Sequence, residues 1–181
     1  MDKNKLSIIR FAIILFIIVG SAGLILSLVY SITQPQILKN ELAKEQDSLK
    51  IIMPEVQVFS NQGDHYRIFN DRKELIGYVF KTEAKGYGGP VRCNIGLDKQ
   101  GKITGIFVVS HKETPGLGTK IEDVKKGETG PYYLAQYRNR PETEMNFENI
   151  KAISGATISS RAILNCVKNA FVRFHEVNEK N

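Results

Sequence analysis

The chain contains no tryptophan, three histidines and two cysteines in 181 residues. The scarcity of histidine and cysteine argues against a resident metal. His65, His111 and His175 are scattered, and Cys93 and Cys166 fit no CxxC or zinc-ligand spacing. Cysteine behaves as a small hydrophobe in cores, so two buried free thiols is the favoured reading; a disulfide across the fold stays open for an oxidising compartment. The net charge of +6 is not gathered into a block. Without a basic stripe interleaved with aromatics, nucleic acid is not an expected partner. No Walker motif, no GxGxxG, no internal repeat and no low-complexity tract occurs.

What the chain does have begins near its N-terminus. Phe11 to Tyr30 carries no charge. At about 1.5 Å per residue this stretch spans about 30 Å, the thickness of a bilayer core. A cleaved signal peptide would have a shorter apolar run; Ser21-Ala22-Gly23 is weakly like a cleavage site, but apolar residues continue to Val29. The expectation is an uncleaved anchor. Lys3, Lys5 and Arg10 precede it and no basic residue follows until Lys39, which predicts a cytoplasmic N-terminus and a following chain on the extracytoplasmic side.

Beyond the span, Pro35 suits the first turn of a new helix, and Ile37, Leu38, Leu42, Leu49 and Ile52 form a broken apolar stripe ending near Pro54. This predicts a juxtamembrane helix that either links the membrane to a domain or packs on it. From His65 to His111, HYRIF, ELIGYVFKTEA, VRCNIGLD and KITGIFVVSH alternate partially and are rich in β-formers, with DKQG as a hairpin turn. They predict an antiparallel meander interrupted by GYGGP (Gly86–Pro90), which is either an ordinary turn or a close backbone approach to a ligand. HKETPGLGTKIED is a loop by composition, GPYYLAQYRNRP is expected to hold a short helix, and FENIKAI reads as a strand or an extended entry into SGAT. Ile163, Val167, Ala170, Phe171 and Phe174 recur at helical spacing, predicting a last helix that starts near Ser159 or Ser160 as N-cap and frays after Phe174. The fold class expected is α+β: one transmembrane helix, then an antiparallel sheet flanked by helices. The expected divisions are residues 1–30, 31–55 and 56–181.

The stretch SGATISS, Ser154 to Ser160, sits at the mouth of that last helix. Helix capping accounts for these residue types without any ligand. The alternative is anion binding: first-turn N–H groups are unpaired and carry partial positive charge. Small Gly155 and Ala156 would let a phosphate approach, with Ser154, Thr157, Ser159 and Ser160 adding hydroxyls. A nucleophilic Thr157 would need a base and an orienting acid, and no such partner motif is visible.

SGATISS, ETPGLG and GYGGP, in that chain order from GYGGP onward and behind one N-terminal span, resemble the FMN-binding domain family. That family includes the G subunits of Rnf-type membrane ferredoxin:NAD oxidoreductases and the C subunit of the sodium-translocating NADH:quinone oxidoreductase. The resemblance covers nearly the whole chain. It implies FMN bound covalently through a phosphoester to Thr157, installed by a flavin transferase with FAD as donor. It places Glu113, Thr114, Pro115, Gly116, Leu117 and Gly118 near the flavin, with Tyr87, Gly88 and Gly89 as further lining. It implies an electron-transfer subunit of a complex coupled to sodium or proton translocation, with membrane and iron–sulfur subunits as partners. The family's flavinylation motif has an aspartate where this chain has Lys151, with Glu148 as an acid that could substitute. A flavin-free structural subunit and a stand-alone extracellular flavoprotein are the competing readings.

Overall fold

The computed structural model describes residues 3–127 and 130–179, and falls into two compact units divided between Lys44 and Glu45. In the first unit the chain is helical throughout its described part, within α1 (Lys3–Ile52). Arg10–Ile37 is long and apolar enough to cross a membrane. Its side chains are exposed, Phe16 at 79% and Leu26 at 72%, a surface suited to lipid. The separate helix expected to begin at Pro35 is a correction: α1 runs through Pro35 without a break. Proline removes one hydrogen-bond rung, and a single missing rung in a long helix is tolerated when its neighbours persist. The Ser21 and Ser31 hydroxyls donate back to Ile18 O and Ser27 O, each at 2.9 Å. The side chains of Leu38 and Leu42, part of the expected stripe, lie outside the described residues.

The second unit is built on a five-stranded antiparallel sheet in chain order: β1 (Val58–Asn61), β2 (His65–Phe69), β3 (Leu75–Lys85), β4 (Pro90–Asp98) and β5 (Ile103–Ser110). The expected meander is there, and DKQG closes its last hairpin. Gly101 N–H donates to Asp98 O at 3.0 Å, while Asp98 Oδ1 accepts from Gln100 N and Lys102 N. β1 was not anticipated. VFSN is short and mostly exposed, so it shows neither a buried run nor a clean alternation.

Both sheet faces are covered, which is why β4 is buried without a break from Cys93 to Leu97 and does not alternate there. On one face α3 (Thr157–Glu179) lays Ile163, Val167, Ala170, Phe171 and Phe174 against Tyr78, Phe80, Val91, Cys93 and Ile95. On the other, Leu49, Ile52 and Met53 pack with Tyr66, Ile68 and Val79. Asn94 Nδ2 donates to Ser48 Oγ at 2.9 Å inside this second core, satisfying a polar pair that would otherwise be costly to bury. The end of α1 therefore packs on the domain.

Two further expectations are corrected. α3 begins at Thr157, so Ser159 and Ser160 are buried first-turn residues and not N-caps. It continues to Glu179, because Val177 still packs on the core past Phe174. Of the two forms expected for FENIKAI the strand is absent: Asn146 Oδ1 accepts from Glu148 N and Asn149 N, closing a turn, and residues 151–153 enter SGAT without regular structure, with Ile150 and Ile153 buried as single anchors. The short helix expected in GPYYLAQYRNRP is α2 (Tyr132–Ala135). Cys93 and Cys166 are both free and buried.

Candidate functional site

Thr157 is the first residue of α3 and is exposed. The turn before it is set by Gly155, whose φ of +78° suits glycine and strains side-chain-bearing residues. Two hydrogen bonds tie that turn to the core. Ile153 N–H donates to Ser160 Oγ at 3.0 Å, and Ala156 N–H to Ile153 O at 3.0 Å. The buried Tyr133 hydroxyl donates to Ser160 O at 3.0 Å and shares a 2.9 Å hydrogen bond with the Tyr137 hydroxyl. Burial pushes both tyrosines above their ordinary range, Tyr137 far more than Tyr133. They stay neutral and act as fixed donors beneath the helix mouth.

Across the cavity lies Glu113, 6% exposed. Its Oε2 accepts from Ser159 Oγ at 2.6 Å and its Oε1 from Tyr87 N–H at 2.8 Å. One carboxyl thus joins the loop 111–118, the β3–β4 turn and the first turn of α3. On the Gly118 side there is no spare room beside it. A Cβ at Gly118 would stand 2.5 Å from Glu113 Oε2 and 2.8 Å from Ser159 Oγ. His111 orients the loop, accepting Glu113 N–H at Nδ1 (3.2 Å) and meeting Glu122 Oε2 through Nε2 at 3.0 Å. With Nδ1 accepting, the neutral ring carries its proton on Nε2 and donates it to Glu122.

These elements enclose a cavity of ≈ 530 Å³. Of the residues anticipated from sequence, Tyr87, Glu113, Thr114, Leu117, Gly118, Gly155, Ala156, Thr157 and Ser159 line it. Ser154 lines a neighbouring cavity instead, and Ser160 is buried behind the turn. Pro115, Gly116, Gly88 and Gly89 do not line it. Gly88 serves the site indirectly, because a Cβ there would collide with the Lys112 carbonyl oxygen. GYGGP is thus both a turn and a close approach, and what it approaches is backbone. Ile158 lines the cavity and was missed; it sits in the quoted motif, but an apolar residue at a helix mouth reads as core. The Thr157 hydroxyl has no hydrogen-bond partner among the described residues.

A family model for the FMN-binding domain matches residues 86–172, the span from the β3–β4 turn to the body of α3. The G subunit of the proton-translocating ferredoxin:NAD(+) oxidoreductase complex of Clostridium ljungdahlii is 31% identical over 179 residues, covering 93% of this chain and 92% of the relative. This chain belongs to the G-subunit family of ion-translocating oxidoreductase complexes. The family's G subunit from Methanosarcina acetivorans is 27% identical over 187 residues, 94% of this chain and 95% of that one. Among solved structures, NqrC of Shewanella oneidensis aligns with a TM-score of 0.49 and 18% identity, over 66% of this chain and 67% of that one. The family's FMN-binding region contains both the Thr157 turn and the Glu113 loop, and excludes α1, β1, β2 and β3.

Proposed function

We propose that this chain carries FMN on Thr157, through a phosphoester at Oγ, and passes electrons between other subunits of an Rnf-type ferredoxin:NAD oxidoreductase complex. The observation that carries this reading is the exposed Thr157 hydroxyl, without a partner among the described residues, on the first residue of a 23-residue helix at the rim of a ≈ 530 Å³ cavity. The residues present fit a phosphate-bearing flavin: a hydroxyl to attach it, helix-mouth N–H groups for its remaining charge, and a backbone-lined wall.

FMN, when bound, supplies reversible electron transfer. The chain supplies the rest. The N-terminus of α3 stabilises phosphate charge. Gly155 and Gly118 expose bare backbone at two points of the wall, and Glu113 fixes the three segments that form it. Tyr87, Leu117 and Ile158, exposed by 71%, 48% and 50%, form an apolar rim that limits water. A flavin transferase with FAD as donor installs the cofactor: the Thr157 Oγ–phosphorus bond forms, the hydroxyl proton leaves, and the bond to the AMP half of FAD breaks. Lys151 stands where the family motif has aspartate, so a matched transferase, or Glu148 on the preceding turn, serves recognition.

Residues 1–30 anchor the chain, 31–55 join anchor to domain, and 56–181 hold the flavin. The three basic residues before the span put the N-terminus in the cytoplasm and the flavin domain on the extracytoplasmic face. Phe11 to Tyr30 holds no ionisable residue except Tyr30, so the sodium or proton path belongs to partner subunits. Purification from native membranes in mild detergent tests this. The expected result is a visible flavin spectrum together with co-purifying membrane and iron–sulfur subunits. A colourless chain within the complex would leave a scaffold, and a coloured chain without partners would leave a stand-alone flavoprotein.

A further inference from the structure

The far side of the SGAT turn has a different chemistry. A second cavity of ≈ 530 Å³ is lined by Lys120, Lys125 and Lys151, with Tyr132, Gln136 and Ser154 among the others, and no acidic residue among the described ones lines it. Among the described residues none of the three ammonium groups forms an ion pair.

The three lysines come from separate, anchored pieces of chain. Lys120 lies on the 3-10 turn Gly118–Glu122, pinned by the fully buried Ile121. Lys125 Nζ stands 4.3 Å over the Tyr132 ring, which holds that ammonium at the cavity. Lys151 is clamped through its backbone: its N–H donates to Gln136 Oε1 at 3.0 Å and its carbonyl accepts from Gln136 Nε2 at 3.3 Å. Three cations gathered in one concavity repel one another and concentrate counter-ions there. A single carboxylate would leave most of that charge uncompensated. A phosphate group carries two or more negative charges in one compact unit, and lysine meets it as a point charge. The volume also falls within the range of small-molecule sites.

We propose that this cavity is a second ligand site, separate from the Thr157 cavity, for a small phosphate-bearing anion of at least two negative charges. Ser154 lines this cavity while Gly155 to Ser159 line the other, so one turn forms the wall between them. The proposal does not depend on flavin attachment at Thr157.

The full-length chain in detergent at low salt is titrated calorimetrically with pyrophosphate, AMP, adenosine and acetate. Pyrophosphate and AMP are expected to bind at least tenfold tighter than adenosine or acetate, and to weaken as salt rises. AMP tighter than pyrophosphate supports a nucleotide as the ligand; equal affinities support the phosphate group alone. The double variant Lys120→Ala, Lys125→Ala loses the binding tenfold or more with an unchanged thermal midpoint, whereas Lys168→Ala and Thr157→Ala retain it. No binding of either phosphate compound, equal binding of acetate, or unchanged binding in the double variant overturns the proposal. Binding of a polyglutamate peptide but of neither phosphate probe overturns it in favour of an acidic protein partner.

Discussion

Ser159 Oγ donates a 2.6 Å hydrogen bond to Glu113 Oε2, joining two residues 46 positions apart in the chain. The second oxygen of the same carboxyl takes Tyr87 N–H at 2.8 Å. ETPGLG, GYGGP and SGATISS therefore meet at one buried side chain, and that junction forms the wall of the cavity beside Thr157.

Removing the junction leaves two donors without acceptors. Glu113→Ala is expected to destabilise the domain by about 1–3 kcal/mol, the usual cost of stranding a buried donor. Chemical denaturation measures this. Glu113→Gln, which keeps one acceptor oxygen, should fall between the alanine variant and the parent. A Glu113→Ala protein as stable as the parent would show that the carboxyl is not a structural hub.

The space beside that carboxyl is equally specific. Gly118→Ala puts a methyl 2.5 Å from Glu113 Oε2 and 2.7 Å from its Cβ. The expected loss is about 1–3 kcal/mol, the range for overpacking a filled site. Gly130→Ala meets nothing within 4 Å and should be close to neutral in the same denaturation experiment.

At Gly155 the constraint is conformation and not space, since a Cβ would meet only Leu117 Cδ2 at 3.6 Å. With φ at +78°, Gly155→Ala should cost about 1–2 kcal/mol from left-handed strain. Gly155→Asn, which tolerates that region better, should cost less. Equal thermal midpoints for all three proteins would contradict the assigned turn.

The parts legible in sequence were those decided by neighbouring residues. The Asp98–Gly101 hairpin is closed by its own aspartate, and the apolar spacing from Ile163 to Phe174 decides the buried face of α3. The parts that were not legible depend on distant partners. Ser159 and Ser160 resemble caps, but Glu113 and the Ile153 N–H turn them inward. Pro35 resembles a helix start, yet the turns on either side carry the helix through it. The lysine cavity joins residues from three segments that share no motif.

The buried tyrosine pair predicts a sensitivity to alkali. Burial first, then the neighbouring Tyr133, raises the Tyr137 pKa above its ordinary value of 10.0. The unfolded chain releases that proton first, so the contribution is fully present below about pH 10 and is lost as pH rises further, by about 1.4 kcal/mol per unit for one group. Stability measured by urea denaturation between pH 8 and pH 11 should fall at the upper end. Tyr137→Phe should flatten that fall, at the cost of the 2.9 Å hydrogen bond to Tyr133. An unchanged alkaline slope in Tyr137→Phe would assign the sensitivity elsewhere.

The bond at Thr157 is tested most directly by the mass of the tryptic peptide that contains it, taken from denatured chain isolated from its own membranes. A covalent carrier requires that this peptide gain the mass of FMN less one water, carry flavin fluorescence, and lose both in Thr157→Ala. An unmodified peptide, with the flavin released free on denaturation or absent altogether, would contradict it.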